Sequence, residues 1–218
     1  MTARNSVTRL RVLAAMTVTA GALALSGCAG VAPGGSGTPS TPAPSPSTSS
    51  ATPTPTLSAA YKPADVKGKA QNVPVPVMPE AAKAETKEGL EAFATYWYAS
   101  LSYAFESGDI KSVTAVTSES CTTCNKQISV LSDWYQGGGW VQGGKFDVDV
   151  AQSSFQAAAP HEYQVVIQLR QLEGTFFKAD GSMGNSQSTT DFFGDIMIAS
   201  FSEGHWTAKT VERVGGQG

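Results

Sequence analysis

The sequence predicts an α+β domain in which N-terminal helices pack on one face of a curved antiparallel sheet. Three observations predict it. Apolar residues recur in steps of three and four between Leu90 and Phe105. Beyond residue 145 apolar and polar residues alternate in runs separated by turn residues. The helical runs all come before the alternating ones, and that order segregates helices from a hairpin-built sheet.

The 218 residues carry 15% charged residues, against roughly 25% in an ordinary soluble domain. Ser, Thr, Pro, Ala and Gly crowd the first quarter, so the low charge reflects dilution by small uncharged residues. This excludes a coiled coil, a collagen-like repeat and a polytopic membrane protein. Of the 15 basic residues, three lie in residues 1–27, which hold no acid. From Cys28 onward the chain therefore carries 12 basic against 18 acidic residues, and its net charge is −6 rather than −3. A nucleic-acid partner is not expected, since that needs clustered Lys and Arg.

Residues 1–27 read as a secretory signal peptide. Arg4, Arg9 and Arg11 form a basic start, and the apolar stretch Val12–Leu25 is shorter than a spanning helix of roughly 20 residues. Leu25-Ser26-Gly27-Cys28 resembles the bacterial lipoprotein box. That resemblance implies a diacylglycerol on the Cys28 thiol, cleavage before it, and a membrane partner reached through the lipid. Two acyl chains anchor stably where one does not, each buried methylene contributing about 0.8 kcal/mol.

Residues 28–78 are expected to be a disordered tether. TPSTPAPSPSTSSATPTPT, at 38–56, holds no aromatic residue and cannot bury enough apolar surface to offset its ordering entropy. Its prolines favour an extended spacer of roughly 3.1 Å per residue. Residues 61–79 form a second, mixed linker, in which Val73, Val75 and Val77 alternate with Pro74 and Pro76 as an arm along the domain would.

The globular domain is expected over 79–214, with a flexible tail at 215–218. Its first helix starts near Pro79, buries Leu90, Phe93, Ala94, Trp97, Leu101, Ala104 and Phe105, and stops at Gly108. A short helix fits Asp109–Val116, with Asp109 as N-cap. A third fits Thr122–Tyr135, with Ile128, Leu131 and either Tyr135 or Trp134 inward, and Gly137-Gly138-Gly139 ends it. Phe146, Val148 and Val150 then mark a half-buried strand, and Tyr163, Val165, Ile167 and Leu169 mark the inward face of another. Ala179–Ser182 reads as a turn with a loose loop through Ser188. Thr190–Phe201 and His205–Val214 complete the sheet around a turn at Ser202-Glu203-Gly204.

Three helices followed by a long-stranded meander resemble the nuclear-transport-factor-2-like, or cystatin-like, cone. More narrowly the chain resembles an uncharacterised family of actinobacterial lipoproteins, of the domain-of-unknown-function 6318 type. The residues that carry the resemblance are the box at Cys28, the Thr/Pro tether, EAFATYWYASLSYAFESGD, Cys121-x-x-Cys124, and the glycines from Gly137 to Gly144. The family brings no activity with it.

Three cysteines are present. With Cys28 assigned to the lipid, Cys121 and Cys124 remain as an even pair outside the cytoplasm, and a structural disulfide is expected. A redox pair is the first rival, since Cys121 and Cys124 open a helix, although no strand precedes it. A metal site is the second, but His161 and His205 complete a poor zinc set. The cluster from Gly137 to Gly144 leaves a helix and enters a strand, the reverse of a phosphate loop. No catalytic motif, cofactor or metal is expected. A cone pocket would be lined by Tyr96, Tyr103, Trp134, Tyr163 and His205, with Asp147 and Asp195 as acids. The tether, the cone and the missing catalytic motif point to a binding module for a small apolar ligand or an envelope protein. A dehydratase- or isomerase-like enzyme and an envelope-assembly factor are the alternatives. The last would show an exposed apolar patch near Tyr96 and Tyr98.

Overall fold

A computed structural model describes residues 59–215. The expected signal peptide, Cys28, the tether through residue 58 and residues 216–218 lie outside them.

Helix α1 (Lys87–Ser107) organises the domain. Thr86 caps its start, its hydroxyl accepting from Gly89 N–H at 3.0 Å, and Gly108 ends it in a left-handed conformation at φ 77°. The start expected near Pro79 is displaced, because Ala84 is extended and Glu80–Lys83 forms a separate 3₁₀ turn. All seven residues expected on the inward face of α1 are buried. Each large side chain among them contributes roughly 1.5–3 kcal/mol on burial. Glycine is required at 108 for a second reason: a Cβ there would sit 2.3 Å from the Tyr135 ring.

Helix α2 is reduced to Lys111–Thr114. Asp109 still serves its start, its side chain accepting from Lys111 N–H at 3.0 Å. Helix α3 (Thr122–Gln136) buries Cys124, Ile128, Leu131 and Tyr135. The Tyr135 hydroxyl donates to the Phe105 carbonyl at 2.7 Å and accepts from Val141 N–H at 3.2 Å, so one side chain joins α3, the end of α1 and the first strand.

Eight strands follow: β1 (Trp140–Gly143), β2 (Phe146–Gln152), β3 (Ala157–Ala159), β4 (Glu162–Gln171), β5 (Gly174–Phe177), β6 (Met183–Gln187), β7 (Phe193–Ser202) and β8 (His205–Arg213). They form two antiparallel sheets. One has the order β1-β5-β6; the other runs β2-β4-β7-β8, with β3 also paired to β4. Helix α1 packs on β2 and β4, and α3 on β8. The outer edge of β8 is partly covered: Ser118 N–H donates to the Ala208 carbonyl, and Ala208 N–H to that of Val116, each at 2.9 Å. Covering an edge blocks pairing with other chains. Among the described residues no helix is long and apolar enough to cross a membrane.

Three expectations are corrected. Residues 59–78 belong to the fold rather than to the tether. Lys62 bridges Gln71, Ala64 is buried, and Asp65 offers its carbonyl to Trp140 Nε1 at 2.8 Å. The loose loop through Ser188 is strand β6, paired to β5. Val150 faces outward and is exposed, because the register with β4 shifts between Val148 and Val150. An extra residue in one strand reverses the alternation beyond it.

Candidate functional site

Between α3 and the sheets lies a cavity of about 560 Å³. Its walls are mostly apolar: Trp97 and Phe105 from α1, Leu131 from α3, Phe146 from β2, Phe176 from β5 and Val211 from β8. The 3.6-residue period of α1 and α3 and the two-residue period of the strands turn these side chains toward one space. Phe105 meets Phe146 edge-on with ring centroids 5.6 Å apart, and Phe176 likewise at 6.3 Å. Such contacts fix the rings beyond simple area burial.

The polar groups gather on one side. Asp195 on β7 is 8% exposed, and its Oδ2 accepts from the Tyr98 hydroxyl at 2.6 Å. Arg213 Nε stands 3.5 Å from Asp195 Oδ1, outside hydrogen-bond geometry, so Oδ1 is buried with no hydrogen-bond donor among the described residues. The Arg213 guanidinium lies over the Phe193 ring, 3.4 Å from its centroid. Burial pushes the Tyr98 hydroxyl well above its ordinary range, and the Asp195 charge and hydrogen bond add to this. Tyr98 is therefore a fixed donor. Lys126 and Gln127 of α3 also line the cavity.

A disulfide joins Cys121 and Cys124, with Cα atoms 5.3 Å apart. Both residues are buried, and Cys124 forms part of the cavity wall. Among the described residues no group of three or more His, Cys, Asp or Glu side chains is placed to hold a metal ion.

Of the residues expected to line a pocket, Asp195 does so, while Tyr96, Tyr103, Trp134, Tyr163 and His205 do not. Tyr96 is half-buried against the core. Tyr103 lines a separate hollow with Val73, Pro74 and Pro76 of the N-terminal arm. Trp134 Nε1 donates to the Phe177 carbonyl at 3.1 Å. Tyr163 stacks on Phe155 with centroids 4.3 Å apart, and its hydroxyl donates to Glu85 at 3.0 Å. His205 is exposed at the start of β8, and Asp147 pairs with Arg170 at 2.8 Å. Lys126 and Arg213 line the cavity without being expected there, and Tyr98, expected in an exposed patch, lines it as a buried side chain. Tyr98 had a usable signal: it lies four residues after Ala94, three before Leu101 and seven before Phe105, on the buried face.

A family model, described as a family of unknown function (DUF6318), matches residues 59–212. The chain belongs to this family. The match takes in the arm at 59–78. No curated protein matches. Among solved structures, the intermembrane space region of the chloroplast protein ARC6 is similar over 60% of this chain and 98% of its own, with 12% identity and a TM-score of 0.45. Aln2 from a Streptomyces species is similar over 55% of this chain and 87% of its own, with 11% identity and a TM-score of 0.33.

Proposed function

We propose that this member of the family is a lipoprotein anchored to the extracytoplasmic face of the cell membrane, and that its domain binds a small apolar ligand. The observation that carries the binding reading is the cavity. Its volume falls within the roughly 300–1,000 Å³ typical of small-molecule sites, and it joins apolar walls to a few convergent polar groups. The basic start, the short apolar stretch and the Leu25–Cys28 box support the address and the diacylglycerol on Cys28. The Thr/Pro tether supports a domain held away from the bilayer. Helices ahead of a long-stranded sheet support a nuclear-transport-factor-2-like cone for the domain.

A dehydratase- or isomerase-like activity has less support. A general base needs a free acceptor within reach of the substrate proton. The Asp195 carboxylate instead has one oxygen engaged by Tyr98 and the other closed off beneath Arg213. The assembly-factor alternative called for an exposed patch near Tyr96 and Tyr98, yet Tyr98 is buried.

Native mass spectrometry of the full chain, extracted from the membranes of its own host, tests both halves. The expected spectrum shows an acylated Cys28 and a small molecule that leaves on denaturation. Cys28→Ala should release the protein from the membrane. Unmodified Cys28 overturns the anchor; a chain without any small molecule, crosslinking instead to an envelope protein, overturns the ligand reading.

A further inference from the structure

We infer that the ligand is a single-chain amphiphile with an anionic head, seated by Arg213 and Lys126. The inference rests on the cavity being a ligand site and adds the chemistry of the head group. Three groups of formal charge line the cavity: Lys126 and Arg213 are cations, and Asp195 is the acid. The acid is not offered to a ligand, since Oδ2 holds the Tyr98 hydroxyl and Oδ1 is closed to solvent.

The cations are offered. The approach of Arg213 to Asp195 is through Nε, at 3.5 Å from Oδ1, and no hydrogen bond joins them. Its guanidinium plane is set by the Phe193 ring beneath it, and the side chain remains 51% exposed. A guanidinium held this way keeps Nη donors for a second acceptor, and its fork matches carboxylate or phosphate oxygens. Lys126 is exposed on α3 and makes no ion pair among the described residues.

The backbone adds the same sign. Thr123 and Cys124, in the first turn of α3, line the cavity. No side chain caps that end of the helix. Thr122 N–H donates to the Ser120 carbonyl at 2.9 Å, and the N–H groups of Thr123 and Cys124 are left at the positive end of the helix dipole. Phe105, Phe146 and Phe176 supply the apolar remainder, which suits a hydrocarbon chain. The head chemistry is shared by a fatty acid and by a phosphate-bearing lipid fragment, and the test separates the two.

The experiment is calorimetric titration of the full chain, at probe concentrations below micelle formation, with decanoate, decyl phosphate, decanol and decylammonium. The expected result is that at least one anion binds about tenfold or more tighter than decanol, with decylammonium weakest. The tighter anion identifies a carboxylate or a phosphate source. Lys126→Gln and Arg213→Gln should each weaken anion binding several-fold and leave decanol unchanged. Lys126 is exposed on α3 and makes no ion pair with Asp195, so Lys126→Gln reads head-group recognition without disturbing the fold. Decanol or decylammonium binding as tightly as the anions overturns the inference and leaves the apolar-ligand reading in place. No binding of any probe overturns both.

Discussion

The Tyr98 hydroxyl donates to Asp195 Oδ2 at 2.6 Å, joining α1 to β7 across 97 residues of sequence. A buried carboxylate is costly unless donors surround it, and Tyr98 is the donor that α1 supplies. Tyr98→Phe should therefore destabilise the domain by about 1–3 kcal/mol. Asp195→Asn should lose much of its own effect once Tyr98 is Phe. Urea denaturation of the two single variants and the double variant measures the coupling. Additive effects, agreeing within about 0.5 kcal/mol, would show that the pair does not act as one unit.

The Cys121–Cys124 bridge closes a loop with a sequence separation of 3. Chain-entropy arguments give such a loop only about 2 kcal/mol. The double variant Cys121→Ala, Cys124→Ala should lose about that amount and remain folded. Serine would cost more, by burying hydroxyls at positions that are 1% exposed. Mass spectrometry of unreduced protein should find no free thiol at either position; two free thiols there would remove the bridge from the account.

The long elements were legible because burial is periodic in them. The inward faces of α1, α3 and β4 follow from spacing alone. Strands β1, β3, β5 and β6 were missed. Ala157–Ala159 carries no alternation, Met183–Gln187 is mostly small or polar, and β1 and β5 span four residues each. Pairing across the sheet, rather than local preference, makes them strands. The cavity was hidden for a related reason. Tyr98, Lys126, Asp195 and Arg213 come from four elements, and no spacing in one chain links them. Tyr103, Trp134 and His205 have side chains suited to a pocket, yet the fold places them outside the cavity.

The arm at 59–78 should contribute to stability. Removing it deprives the buried Trp140 of the Asp65 carbonyl, which accepts from its Nε1 at 2.8 Å. It also breaks the hydrogen bond from the Tyr61 hydroxyl to Glu106. A buried donor left without its acceptor costs about 1–3 kcal/mol. A chain beginning at residue 79 should therefore be at least about 2 kcal/mol less stable than one beginning at 59, measured by urea denaturation. Trp140→Phe in the longer chain, which removes the same hydrogen bond, should reproduce part of that loss. Equal stability of the two chains would return residues 59–78 to the tether.

Alkaline pH should unfold the domain through its tyrosines. Burial pushes Tyr135 up to about 12. Burial, reinforced by the hydrogen bond to Glu106 and its charge, pushes Tyr61 up to about 12 as well. Tyr98 is raised further, by burial and then by Asp195, and Tyr163 is raised by its hydrogen bond to Glu85. Four of the six tyrosines thus hold their protons more tightly folded than unfolded. Below pH 10 both states are protonated and the full stability is present. Above it the unfolded chain loses protons that the folded chain keeps, so stability falls as pH rises through the folded values. For Tyr135 alone the loss by pH 12 is roughly 2 kcal/mol. Urea denaturation from pH 9 to 12 should show the decline, and Tyr135→Phe should make it shallower. Phenolate absorbance of the folded chain near pH 11 should lag behind that of the urea-unfolded chain. Coincident titration curves would mean that these hydroxyls are not held as the structure holds them.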